Sequence, residues 1–159
     1  MPTRKMTRES SRANRLRGFS LVEVLIALII MSVGMLGIAG LYVHSMQAAR
    51  TSLFRHHAVT LAGDIADRIR ANPLARDAYE GAGADNNCVD GGIDCVAADM
   101  AAKDIFLWLE QAAATLPDGD VDVIYNNAAV PSTYQVTVTW SEPNADPSYV
   151  ITFPVFEML

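Results

Sequence analysis

Few side chains in this chain have the types and spacing to do chemistry, and they fall into four groups. His44, His56 and His57 are the only histidines, and Cys88 and Cys95 the only cysteines. Asp85, Asn87, Asp90 and Asp94 surround the cysteine pair. Glu23 stands alone in an apolar run, five residues beyond Gly18. The histidines have no serine or cysteine nucleophile with an orienting carboxylate nearby in sequence, so nucleophilic catalysis has no starting point. Two thiols without a neighbouring histidine leave zinc under-ligated, and the aspartates do not follow the calcium-loop spacing. Metal ligands: none. Phosphate-binding loops, nucleophile elbows and zinc-protease helices are also missing from the sequence. The reading is a non-enzyme without a cofactor, in which the cysteines form a disulfide that pins a glycine-rich excursion.

Glu23 resists a bland reading: a place at the membrane interface, one turn from the cytoplasmic face, softens its cost without explaining its presence. From Phe19 to Val43 run 25 residues in which it is the only charge. A helix rising about 1.5 Å per residue over that length crosses a hydrocarbon core of roughly 30 Å. An acid in such a segment costs a few kcal/mol on insertion scales, so it is a functional candidate by default. Residues 1–18 carry six basic groups and one acid, a net of 6 − 1 = +5. The remaining residues carry 12 − 6 = 6 basic and 18 − 1 = 17 acidic groups, a net of −11. Cations just ahead of an apolar span place the N-terminus in the cytoplasm, and the acidic remainder across the membrane. That acidity also argues against nucleic acid as a direct partner. The small residue Gly18 lies before the apolar run rather than after it, the reverse of a secretory signal. A cut after Gly18 removes the charged leader and leaves the apolar helix on the mature chain. It also creates an α-amine at Phe19, one helical turn from Glu23. The carboxylate can neutralise that amine in its own chain or in a neighbouring one, since an unpaired charge in lipid is costly.

The elements that position these groups follow from periodicity. A single helix from about residue 20 to 71, on the order of 80 Å long, continues past the apolar run. Phe54, Ala58, Leu61, Ile65 and Ile69 make a stripe at three- and four-residue spacing, and Asn72-Pro73 stops it. The chain divides into a leader (1–18), an apolar helical half (19–43), an amphipathic half (44–72) and a head (73–159). Gly34, Gly37 and Gly40 lie in the apolar half, where close helix packing is the first reading and local unwinding the second. Ala78–Asp94 reads as loop. A second helix over Ala97–Thr115 turns Ala101, Ile105, Trp108, Leu109, Ala112 and Leu116 to one side. Strands follow at about Val121–Tyr125, Tyr134–Trp140 and Tyr149–Phe153, the middle one alternating strictly. The expected class is α+β: a long helix covering one apolar face of a small antiparallel sheet. The apolar end, Phe153–Leu159, is expected to pack on the head or meet a neighbour.

Gly18-Phe19-Ser20-Leu21-Val22-Glu23, followed by Val24-Leu25-Ile26-Ala27-Leu28, resembles the class III signal of type IV prepilins and type II secretion pseudopilins. The resemblance implies the type IV pilin fold, cleavage after Gly18 by the prepilin peptidase, methylation of Phe19, and Glu23 as the assembly acid. Asp64–Pro73, Asp104–Pro117 and Tyr134–Trp140 are in turn similar to PilV-type minor pilins, the type IV pilus modification proteins. That implies a low-abundance subunit acting near the fibre tip. Its partners would be other minor and major pilins, the inner-membrane assembly platform and, as a further candidate, a tip adhesin. The rival readings are a type II secretion pseudopilin and an uncleaved single-span periplasmic binding or sensor domain.

Overall fold

The computed structural model describes residues 18–88, 94–143 and 145–155. The leader up to Arg17, the interior of the cysteine loop and the last four residues lie outside the described residues. The chain forms two compact units that divide within the first helix, one up to His44 and the other from Ser45 onwards.

Helix α1 spans Leu21–Ala71. Ser20 starts it: its Oγ accepts the Val22 N–H at 3.3 Å, and its carbonyl accepts from Glu23 and Val24. A serine before the first helical residue satisfies one of the otherwise unpaired N–H groups. Glu23 in the first turn and Arg68 and Arg70 in the last complement the helix dipole. In the first unit every described residue is exposed, including the whole apolar run. The helix runs unbroken through Gly34, Gly37 and Gly40, and an added Cβ at any of them would meet nothing within 4 Å. Among the described residues nothing packs on these glycines.

The second unit contains the core. Its half of α1 buries Ala58, Leu61, Ala62, Ile65, Ala66 and Ile69. The predicted stripe is there, widened by two buried alanines, Ala62 and Ala66. Phe54, at the near end of that stripe, is only partly buried. Against this face lies a three-stranded antiparallel sheet of order β1 (Asp120–Asn126), β2 (Thr133–Thr139), β3 (Ser148–Pro154). Tyr134, Val136 and Val138 face inward from β2, with Val123 from β1 and Phe153 from β3. Helix α2 (Ala97–Thr115) adds Ala101, Ile105, Trp108 and Ala112, while Leu109 is half-buried. Trp140 lies just past the end of β2, yet is buried and donates its backbone N–H to Pro147. The long helix, second helix and three-stranded sheet give the expected α+β architecture, a type IV pilin-like fold.

One expectation needs correction. The stretch from Ala78 is not loop at its start: Arg76–Glu80 forms a 3-10 helix with Tyr79 buried. The Tyr79 ring stacks on Trp108 at 5.6 Å and meets Tyr134 edge-on at 6.2 Å. One aromatic side chain thus outweighs the loop-forming composition around it. The apolar end, as far as it is described, takes the first of its two expected places: Phe153 and Val155 pack in the core of the head.

Two glycines mark close backbone approaches. A Cβ on Gly119 would fall 2.4 Å from the carbonyl oxygen of Ala112, at the end of α2. A Cβ on Gly83 would fall 2.6 Å from the backbone nitrogen of Phe106. The second contact lays the segment after the 3-10 helix along α2, where Ala84 donates its N–H to Ala102.

Candidate functional site

The first candidate site is the start of α1. Gly18 and Phe19 precede the helix and are exposed, Phe19 at 84%. Glu23 is in the first turn, and among the described residues its side chain has no ion pair or hydrogen bond. The segment therefore presents an accessible backbone, an aromatic side chain and a carboxylate, with an apolar helical surface behind them. That surface is the one described helix long and apolar enough to cross a membrane. Among the described residues its apolar window is covered by nothing.

The second unit holds a polar network that sequence reasoning did not single out. Arg68 Nη1 donates to Asp104 Oδ1 at 3.0 Å, and Arg68 Nε to Asp64 Oδ2 at 3.1 Å. The other Asp104 oxygen accepts the Tyr79 hydroxyl at 3.2 Å. Asn72 Nδ2 donates to the Tyr79 hydroxyl and to the carbonyl of Ala97 at 2.9 Å. The residues that end α1 thereby bind both the 3-10 helix and α2. The signal was present in sequence: Asp104 falls three residues after Ala101 on the buried face of α2, an awkward place for an unpartnered carboxylate. Burial pushes the Tyr79 hydroxyl above the usual tyrosine range, and the Asp104 charge adds to it.

The cysteine loop is tied to α2. Asn86 Nδ2 donates to the Asp99 carbonyl, and Asp85 pairs with the Lys103 ammonium. Lys103 is buried beside the Phe106 ring. The hydrogen bond from Lys103 holds the Asp85 carboxyl below its ordinary value. A lowered carboxylate value makes this pair stabilising at neutral pH, with the contribution lost as pH falls through that lowered value. Cys88 and Cys95 are joined as a disulfide with Cα atoms 5.8 Å apart, just ahead of α2. By loop-closure entropy a ring this small is worth about 2–3 kcal/mol. The paired substitution Cys88→Ser with Cys95→Ser is expected to lower head stability by roughly that amount. Denaturant unfolding of the two proteins checks it, and equal midpoints would refute it.

The remaining chemistry-bearing residues do not converge. His44 and His56 are exposed and His57 half-buried, with the His56 and His57 rings 6.3 Å apart. Among the described residues no three His, Cys, Asp or Glu side chains gather to hold a metal ion. An open groove of about 700 Å³ lies between Phe54 and the turn carrying Pro143. Its wall is Glu142, held by Thr51 Oγ1 at 3.0 Å and Trp140 Nε1 at 2.9 Å.

An exposed apolar helix with one leading acid, followed by a helix-on-sheet head, defines a pilin- or pseudopilin-like structural subunit. Comparison with known families agrees. Residues 40–106 match the family described as type IV pilin Tt1218, and residues 14–39 match the prokaryotic N-terminal methylation motif. The matched pilin family is structural rather than catalytic, and the motif implies prepilin-peptidase processing and assembly with other pilins. One N-terminal apolar helix behind such a motif fits a single-pass inner-membrane anchor. No curated protein and no solved structure gives a significant match to the chain.

Proposed function

We propose that this chain is a minor pilin, a structural subunit that helps prime and build a type IV pilus near its tip. Residues 1–18 act as a cytoplasmic leader, the prepilin peptidase cuts after Gly18, and the new Phe19 amine is methylated. The apolar half of α1 holds the subunit in the inner membrane with its head in the periplasm until the assembly platform draws it into the fibre. There the Glu23 carboxylate meets the Phe19 amine of a neighbouring pilin, so each charge leaves the membrane paired. The observation that carries this reading is an apolar helix that no described residue covers, led by a methylation-type motif with a single acid. Its lipid-facing surface becomes a subunit-facing surface without any change in the head.

The minor rather than major role is supported by the resemblance of Asp64–Pro73 to PilV-type subunits. Arg68 and Asn72 of that segment tie the helix end to α2 and the 3-10 helix. The test is mass spectrometry of sheared surface fibres. A peptide beginning at N-methylated Phe19, at low abundance beside a major pilin, is the expected result. Full-length chain in membranes with none in fibres would sink the proposal. Recovery with secretion machinery instead of pili would identify a type II pseudopilin.

A further inference from the structure

The two edges of the head sheet are not alike. On the β1 edge the Tyr125 N–H donates to Glu80 Oε1 at 2.8 Å, and the 3-10 helix packs alongside. Strand β1 also carries two charges, Asp120 and Asp122. Among the described residues the β3 edge has no such backbone partner and no charge of its own; the one cation beside it, Arg70, stands over the Phe153 ring at 4.6 Å rather than on the outward amides. Val155 donates its N–H to Ser132 and Trp140 donates to Pro147, which fixes the phase of the β2–β3 ladder. Hydrogen-bonded pairs alternate with non-bonded ones in an antiparallel pair, so residues 149, 151 and 153 bond to β2. The N–H groups of Ser148, Val150 and Thr152 then point away from the sheet. Among the described residues none of them has an acceptor. Pro154, next in that series, has no N–H to offer and limits the open edge to about five residues.

No residue of Ser148–Pro154 is charged, and Val150 is 45% exposed. Soluble proteins ordinarily blunt such an edge with lysine, a bulge or a covering loop, because it templates strand addition. In a chain with 18 acidic residues, a bare uncharged edge is out of keeping with the rest of the surface. Its row of amide donors and carbonyl acceptors is complementary to one kind of occupant, an extended polypeptide segment.

We infer that the β3 edge is a docking site at which an extended, uncharged segment from a neighbouring pilin head adds as a fourth strand. The inference rests on the fibre-subunit reading above. That reading also decides against pairing of β3 with β3 of a second copy. Such a contact is two-fold and closes a dimer, whereas fibre neighbours are related head to tail. The partner therefore supplies a different segment, and its main-chain hydrogen bonds give affinity independent of its side-chain sequence.

The experiment uses the full chain, in fibres and in detergent micelles. In micelles the amides of Ser148, Val150 and Thr152 should exchange with solvent rapidly, and in fibres at least a hundredfold more slowly. Val150→Pro removes one outward donor without touching the ladder to β2. It should be processed at Gly18 and melt close to the parent, yet reach fibres at a tenth of the parental level or less. If that variant melts early, Thr152→Lys places a charge on the same edge and should give the same loss. Unprotected amides in fibres, or parental incorporation of the folded variants, would overturn the inference alone. Protection of these amides in a dimer formed in micelles would overturn it in favour of a second copy. Absence of the unchanged chain from fibres would remove the function reading, and this inference with it.

Discussion

Glu23→Ala is expected to be cut after Gly18 and inserted normally, yet to be recovered in fibres at least tenfold below the unchanged protein. The reasoning begins with what the carboxylate does not do. It leaves the Ser20 cap intact, because the helix start depends on the Ser20 hydroxyl and carbonyl rather than on Glu23. Its interaction with the helix dipole is worth about 0.3–1 kcal/mol, too little to decide whether a long helix forms. Removing a charge from the span makes insertion easier rather than harder. What is lost is the partner for an amine carried into the fibre from a neighbour. In a low-dielectric setting, leaving one member of a charge pair unmatched costs several kcal/mol, and about 1.4 kcal/mol already corresponds to tenfold. Glu23→Gln separates charge from hydrogen bonding: it should resemble Glu23→Ala if charge neutralisation is the role. Western blots of membranes and sheared fibres, read for the mature form, make the comparison. Parental fibre recovery by both variants would remove the pairing role.

Much of this architecture was legible because its periodicities are long and uncontested. The helix over Leu21–Ala71 and the helix over Ala97–Thr115 each show an apolar pattern, with proline close after the end. The middle strand alternates so strictly that its face assignment followed at once, although Trp140 belongs to the next turn and is buried for packing reasons. The illegible parts are those where one distant contact overrides local composition. Tyr79 sits between polar and small residues, and nothing local announces that it stacks on Trp108. Lys103 and Asp104 lie buried on α2 only because Asp85, Arg68 and Tyr79 reach them from elsewhere in the chain, which local sequence does not show. The open β3 edge is a property of strand order, which an alternation pattern does not encode. At the site, the residues Gly18, Phe19 and Glu23 could be named because their motif is contiguous. Their partners could not, because in the proposed function those lie on other chains, which one sequence does not encode.

The second large effect is expected in the head, where Asp104→Ala should lower stability by about 2–3 kcal/mol. The Asp104 side chain is 9% exposed and uses both oxygens, one for Arg68 and one for the Tyr79 hydroxyl. Alanine strands two donors at once. The Tyr79 hydroxyl still accepts from Asn72 but has nowhere to place its own proton in a buried setting. Arg68 is half-exposed and keeps Asp64, so it contributes the smaller share. For a domain of this size, each kcal/mol moves the melting temperature by roughly 4–8 °C, so a drop on the order of 10–15 °C is expected. Asp64→Ala provides the contrast. It breaks an ion pair with both partners nearly half exposed, worth about 0.5 kcal/mol, and should barely move the transition. Calorimetry of the two variants in the same detergent tests the ranking, which fails if Asp104→Ala melts within two degrees or so of the parent. Because Gly18 and Phe19 lie outside the head, the Asp104 variant should still be cleaved. Its mature form should then become protease-sensitive where α2 and the 3-10 helix leave the end of α1, with the Cys88–Cys95 staple still closed.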